Sequence, residues 1–222
     1  MNGPEEDRPG DLVGFVLAGG KSSRMGSDKA FVRLGGRPLL AHALDILRVA
    51  GVPGSISGSV PPMERYAPVI PDTDPGRGPL AGICSALRFT SPCHAIFLSV
   101  DSPFIPASLI QYLVHHARTT GAAVTLPSMA GYAQTFPVVI DSAMVDRLES
   151  VLYSGTVGCF AAFQKAADAS RRAFSVLPVE FLVQAGQVAH LAHLPVACWF
   201  LNLNTRGDLE QAESLLAGDR VI

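Results

Sequence analysis

Gly19, Gly20, Arg24 and Lys29 stand within one short stretch, Leu17-Ala-Gly-Gly-Lys-Ser-Ser-Arg-Met-Gly-Ser-Asp-Lys29, and their types suit the handling of phosphate. Glycines lack Cβ, so the chain can turn sharply there and present backbone N–H groups to an anion. Arg24 and Lys29 add two cations within reach of one loop. The stretch reads as a triphosphate cradle. Further along stand Asp72, Asp101 and Asn204. A magnesium ion takes one or two protein oxygens and completes its octahedron with phosphates and water, so one carboxylate and one amide carbonyl at neighbouring positions would meet its need.

Two familiar phosphate motifs are excluded by spacing. A P-loop requires G-x-x-x-x-G-K-[ST], but Gly20 and Gly26 enclose five residues and Ser27-Asp28 follows. A dinucleotide fingerprint leads directly into a helix, whereas here a long loop runs to Arg37 before helical periodicity begins at Pro38.

The elements that must position these residues alternate. Leu12 to Leu17 is an apolar strand that stops at the glycines. Pro38 opens a helix with Leu40, Leu44 and Leu47 on one face and His42 on the solvated one. Gly54 to Ser59 should be a second strand, weak in β preference because of its serines and glycines. A short helix at Met63 to Tyr66 and a short apolar run, Ala67 to Pro71, precede Asp72, and Leu80 to Leu87 reads as a helix. Ala95 to Val100 is the most strand-like run and ends at Asp101. A helix from Pro106 to Arg118, strands at Ala122–Leu126 and Phe136–Ile140, and helices at Ala143–Leu152 and Cys159–Ala169 follow. Ser175 to Val183 reads as extended, and Val196 to Leu203 as a final strand delivering Asn202 and Asn204 to its end. Thr205 is placed to cap the last helix, with Asp208 three residues on. The alternation predicts an α/β domain, three-layer α/β/α, around a mainly parallel sheet, whose ligands bind outside the carboxyl ends of the strands.

Length and composition narrow the classes. The 222 residues, 48% of them hydrophobic, suit one domain over 11–222, preceded by an acidic, Pro- and Gly-rich tail over 1–10 expected to be disordered. A net charge of −2 offers no basic surface for nucleic acid. No segment has the length of a membrane span or the pattern of a signal peptide. Cys84, Cys93, Cys159 and Cys198 show no C-x-x-C pairing and read as reduced, buried small hydrophobes of a cytoplasmic protein.

The Leu17–Lys29 stretch resembles the signature of the molybdenum cofactor guanylyltransferase family, Leu-Ala-Gly-Gly-x-Ser-x-Arg-Met-Gly-x-Asp-Lys, at every fixed position. Gly78-Pro-Leu-Ala-Gly-Ile83 matches the family's Gly-Pro-Leu-Ala-Gly, Val100-Asp-Ser-Pro-Phe104 resembles its Cys-Asp-x-Pro-Phe/Tyr with Val100 in place of Cys, and Asn202-Leu-Asn-Thr205 resembles its Asn-Val-Asn-Thr. The resemblance implies a Rossmann-like nucleotidyltransferase fold. It also implies that Leu17, Ala18, Gly19, Gly20, Lys29, Ser57, Asp72, Gly82 and Asp101 contact the nucleotide. Asp101 and Asn204 would hold Mg2+, with Arg24, Lys29 and Asp101 catalytic. The implied reaction moves GMP from GTP to the phosphate of molybdopterin and releases pyrophosphate. Such chemistry is positioning and charge neutralisation, without a protein nucleophile. Implied partners are GTP, molybdopterin or molybdenum cofactor, and molybdoenzyme-maturation proteins, with no nucleic acid and no membrane.

Two departures bear on specificity. The family's strand two ends in an Asn beside the base, where this chain has Ser57-Gly-Ser59, which opens guanine against cytosine. Basic residues that suit a pterin phosphate are replaced by the neutral Gly155-Thr-Val-Gly158. A nucleotidyltransferase for CTP or a sugar-phosphate-like acceptor, and a non-catalytic nucleotide binder, are the alternatives. Asp72, Asp101, Asn202 and Asn204 could each instead be turn residues. His190 and His193, three apart, could suit a metal on a helix, but Pro195 makes that helix doubtful.

Overall fold

The computed structural model describes residues 11–18, 28–58, 61–90, 93–156 and 158–218. Strand β1 (Leu12–Leu17) is followed by a small hairpin, β2 (Arg33–Leu34) and β3 (Arg37–Pro38), and helix α1 (Leu39–Val49). Strands β4 (Gly54–Ser57) and β5 (Val69–Ile70) precede α2 (Pro79–Thr90), β6 (His94–Ser99) and α3 (Ala107–Thr120). Then come β7 (Val124–Met129), β8 (Tyr132–Ala133), β9 (Val138–Asp141), α4 (Val145–Tyr153) and α5 (Cys159–Ser170). Strand β10 (Phe174–Pro178) and helices α6 (Val179–Gln184), α7 (Val196–Trp199) and α8 (Arg206–Leu216) follow. The proposed tail at 1–10 lies outside the described residues.

The main sheet runs β10-β7-β9-β6-β1-β4-β5, with β8 paired to β7. Strand β1 is parallel to both neighbours, with Leu17 opposite Ser57 on β4 and Ser99 on β6. The chain winds outward from β1 through α1 to β4 and β5, then crosses back through α2 to β6 on the other side of β1. The reversal falls between β1 and β6, where a doubly wound sheet opens its binding crevice.

Side chains alternate across this sheet at period two. Val16, Ile96 and Leu98 face one layer, packed with α1, α3, α6 and residues of α8. Phe15, Leu17, Ala95 and Phe97 face the other, packed with α2, α4 and α5. Phe15 and Phe97 are register neighbours whose rings stack at 5.2 Å, tying together the two strands that flank the reversal. The expected three-layer, mainly parallel arrangement is what the chain adopts.

The weak strand β4 forms because its glycine is needed. Gly14 and Gly54 are opposite one another on β1 and β4. A Cβ on Gly14 would stand 2.6 Å from a methyl of Leu47, and one on Gly54 3.2 Å from a methyl of Leu44. The paired glycines make a flat platform onto which α1 settles closely, and that packing outweighs local propensity.

Three expectations are corrected, and the direction of one expected strand is added. Val196–Leu203 is not a strand: Pro195 opens the short helix α7, and an irregular segment from Leu201 carries Asn202 and Asn204 to α8. Its apolar run exists to bury Trp199, Phe200 and Leu203 beneath the sheet. Ser175–Val183 is divided, since Pro178 ends β10 and Val179 begins α6. Strand β9 enters antiparallel between β6 and β7. Cys84 is buried, but Cys93 is exposed and Cys159 and Cys198 only half-buried.

Candidate active site

The carboxyl ends of β1, β4 and β6 are stitched together by the backbone. Ala18 donates its N–H to the Ser57 carbonyl at 3.0 Å, and Val100 donates to the Leu17 carbonyl at 3.3 Å. Leu17 and Ala18 are thereby fixed at the sheet's centre, where the sequence placed them. Gly19, Gly20 and Arg24 lie outside the described residues.

The Asp28 carboxylate accepts the Ala30 N–H at 3.0 Å and caps a single 3₁₀ turn, Lys29–Phe31. Ala30 is fully buried, so the turn is anchored and Lys29 leaves it on a fixed base. Its ammonium donates to Asp101 Oδ2 at 2.8 Å and also to Asn204 Oδ1. Lys29, Asp101 and Asn204, predicted separately from three parts of the sequence, meet at one nitrogen.

Asp101 is held from several sides. Ser99 Oγ donates to Asp101 Oδ1 at 2.5 Å, which leaves Oδ2 as the outward oxygen. The Asp101 carbonyl accepts the Leu203 N–H at 2.9 Å, and Ser102 Oγ donates to Asn202 Oδ1 at 2.7 Å. These bonds fasten the irregular segment before α8 to the end of β6 without any strand pairing. Asp208 then accepts from the N–H groups of Asn204 (2.8 Å) and Thr205 (2.7 Å) in a capping box with the Thr205 hydroxyl. The Asn204 N–H, then Thr205, holds the Asp208 carboxyl below the usual carboxylate range. Ser99 and Ser102 escaped the sequence reading, because a serine beside an aspartate is also an ordinary turn former.

Asp72 stands apart, at the end of β5, three strands along from β6. Its Oδ1 accepts the Asp74 N–H at 3.0 Å and the Ser85 hydroxyl at 3.4 Å. Ser57 and Gly82 meet in the seam between β4 and α2, where a Cβ on Gly82 would approach Ser57 Oγ to 2.7 Å. Ser57 is 3% exposed, so its hydroxyl faces the helix rather than open space.

Two further sequence features find their places. His190 and His193 lie in an irregular segment, with His193 at φ 54°, so their spacing does not put both on a helical face. The neutral Gly155–Gly158 segment is approached by a cation from α5, as Lys165 Nζ donates to Thr156 Oγ1 at 3.2 Å. Among the described residues no cluster of three or more His, Cys, Asp or Glu could hold a metal, and no helix is long and apolar enough to cross a membrane. Asp101 Oδ2 and Asn204 Oδ1 form a mixed pair of oxygens that could hold a divalent ion. These are hard oxygens that already face a common cation, Lys29, and that suits magnesium, which draws its other ligands from phosphate and water.

Residues 14–173 match the family model for MobA-like NTP transferase domains. Molybdenum cofactor guanylyltransferase of Rhizobium meliloti (strain 1021) is 34% identical over 210 residues, 90% of this chain and 90% of that protein. The protein of the same name from Rhizobium johnstonii is 33% identical over 212 residues, 92% of this chain and 93% of its own. Among solved structures, molybdopterin-guanine dinucleotide biosynthesis protein A from Archaeoglobus fulgidus has a TM-score of 0.74 at 23% identity, covering 93% of this chain and 99% of that one. A CMP:2-keto-3-deoxy-manno-octonic acid synthetase complexed with CTP has a TM-score of 0.67 at 14% identity, over 94% and 98% of the two chains, a likeness of fold alone.

Proposed function

The chain belongs to the family of MobA-like NTP transferase domains, and on that premise we propose that it transfers GMP from GTP to the phosphate of molybdopterin, releasing pyrophosphate. The observation that carries the reading is the meeting of Lys29, Asp101 and Asn204 at the carboxyl edge of the sheet, beside the reversal between β1 and β6. Asn204 lies beyond the matched residues 14–173, so the site draws on more of the chain than the family model spans.

The acceptor's phosphate oxygen attacks the α-phosphorus, and pyrophosphate departs with the bonding electrons. Lys29 neutralises charge on the triphosphate, with Arg24 as a further cation of the loop. Ser99 holds Asp101 Oδ1 and leaves Oδ2 on the side of Lys29, while Asp208 fixes the backbone that presents Asn204. Magnesium bound at Asp101 and Asn204 would supply Lewis-acid neutralisation of phosphate oxygens. Gly82 serves the nucleotide indirectly, by letting α2 close onto β4.

Pyrophosphate release with GTP, CTP and ATP, each with and without molybdopterin, tests the reading. Turnover is expected with GTP and molybdopterin together, and Asp101→Ala should abolish it while leaving circular dichroism unchanged. A preference for CTP, or full activity in Asp101→Ala, sinks the proposal.

A further inference from the structure

We propose that Lys29 is a tethered counter-cation that occupies the metal seat until nucleotide arrives, so that the divalent ion loads with the triphosphate rather than before it. The inference rests on the reading of Asp101 and Asn204 as the metal pair, and adds to it the order in which the site fills.

The geometry leaves the two cations one seat. Ser99 occupies Asp101 Oδ1, so the oxygen open to a cation is Oδ2, and Lys29 Nζ is 2.8 Å from it. The same ammonium takes Asn204 Oδ1. A magnesium ion must bring its oxygens to about 2.1 Å, inside the distance that an ammonium holds. Both cations on these oxygens would stand a few ångströms apart, with strong repulsion in a partly desolvated place. The Lys29 and Asp101 side chains are 23% and 15% exposed, which sets this pair apart from the loose surface pairs that solvent makes nearly worthless.

The lysine has somewhere better to go. Its backbone belongs to the anchored turn, but four methylenes and a point charge let the ammonium swing without backbone movement. A triphosphate offers more negative charge than one carboxylate. Moving there, Lys29 vacates both oxygens as the phosphates bring the remaining metal ligands. Metal and nucleotide then help one another, and linkage makes that help equal in both directions.

The test reads Mn2+ binding by the loss of the free-ion EPR signal, on the full chain, with Mn2+ alone and with Mn2+ plus α,β-methylene GTP. Lys29→Ala should bind Mn2+ alone about tenfold more tightly than the wild type, a typical coupling factor, and lose most of the added gain from nucleotide. Lys29→Met, which keeps the stem, should behave alike. Methylammonium should compete with Mn2+ in Lys29→Ala and not in the wild type, which separates occupancy of the seat from a general change in charge. Wild-type affinity for Mn2+ alone in both variants, or indifference to methylammonium, overturns the proposal. Asp101→Asn keeps the two readings separable. If it leaves Mn2+ binding in the nucleotide complex intact, the metal pair itself is wrong and the proposal falls with it. If it abolishes that binding while the lysine variants match wild type, only the counter-cation role is lost.

Discussion

Ser57 and Gly82 touch across the seam between β4 and α2 so closely that a Cβ at position 82 would stand 2.7 Å from Ser57 Oγ. In an open helix Ala is preferred to Gly by about 1 kcal/mol. Here Gly82→Ala should instead destabilise by ~1–2 kcal/mol, the usual cost of overpacking a close contact. In a Ser57→Ala background the same substitution should turn neutral or stabilising. Urea denaturation of the four proteins checks the sign change, and an unchanged cost in both backgrounds refutes the contact.

Ser99 sets which oxygen of Asp101 faces outward. Ser99→Ala should reduce kcat by about tenfold, in line with loss of a hydrogen bond to a charged group. It should also weaken Mn2+ binding in the nucleotide complex. Ser99→Thr, which keeps the hydroxyl, should recover both. Equal loss in the alanine and threonine variants would show a packing role rather than a positioning one.

Thr125 Oγ1 is buried on β7 with no hydrogen-bond partner. Removing a buried, unpaired hydroxyl without changing shape recovers its desolvation cost, about 1–3 kcal/mol. Thr125→Val should therefore raise Tm by a few degrees, at about 2–4 °C per kcal/mol for a chain of this size. A lower Tm by calorimetry counts against an unpaired hydroxyl.

His94 is mostly buried, its Nε2 has no partner, and burial pushes its pKa below 6.5. His190 is displaced in the same direction, by burial and then by His193. In both cases the unfolded chain binds the proton more readily, so stability is complete above about pH 6.5 and declines as pH falls toward the folded pKa values. A Tm profile from pH 7.5 to 5.5 should show that acid limb, and His94→Gln should flatten it. A limb equally steep in the variant assigns the loss to other groups.

The site was legible wherever residue chemistry coincided with a strand end. Asp101 stands out because a polar group directly after a buried run has few purposes, and Lys29 because it closes the glycine-rich loop that follows another such run; the structure brings the two side chains together. Asn204 does reach Lys29, but from an irregular segment and not from the end of the strand expected over Val196–Leu203. An apolar run without period looks the same whether it becomes a strand or, as around Trp199 and Phe200, a single helical turn and its exit buried beneath a sheet. The direction of β9 was not legible either, because pairing direction is decided by its neighbours β6 and β7 and not by Val138–Asp141 itself. The resemblance implies only that Ser57 contacts the nucleotide, and whether its hydroxyl faces solvent or helix depends on the residue opposite, here Gly82.

Lys29 and Asn204 are 175 positions apart and yet share a hydrogen bond. During synthesis Lys29 and Asp101 leave the ribosome well before the amide that meets them. A nascent chain can thus carry the central strands while lacking one of the two oxygens around Lys29. A chain ended before position 203 lacks that oxygen and, with it, the Leu203 bond to the Asp101 carbonyl.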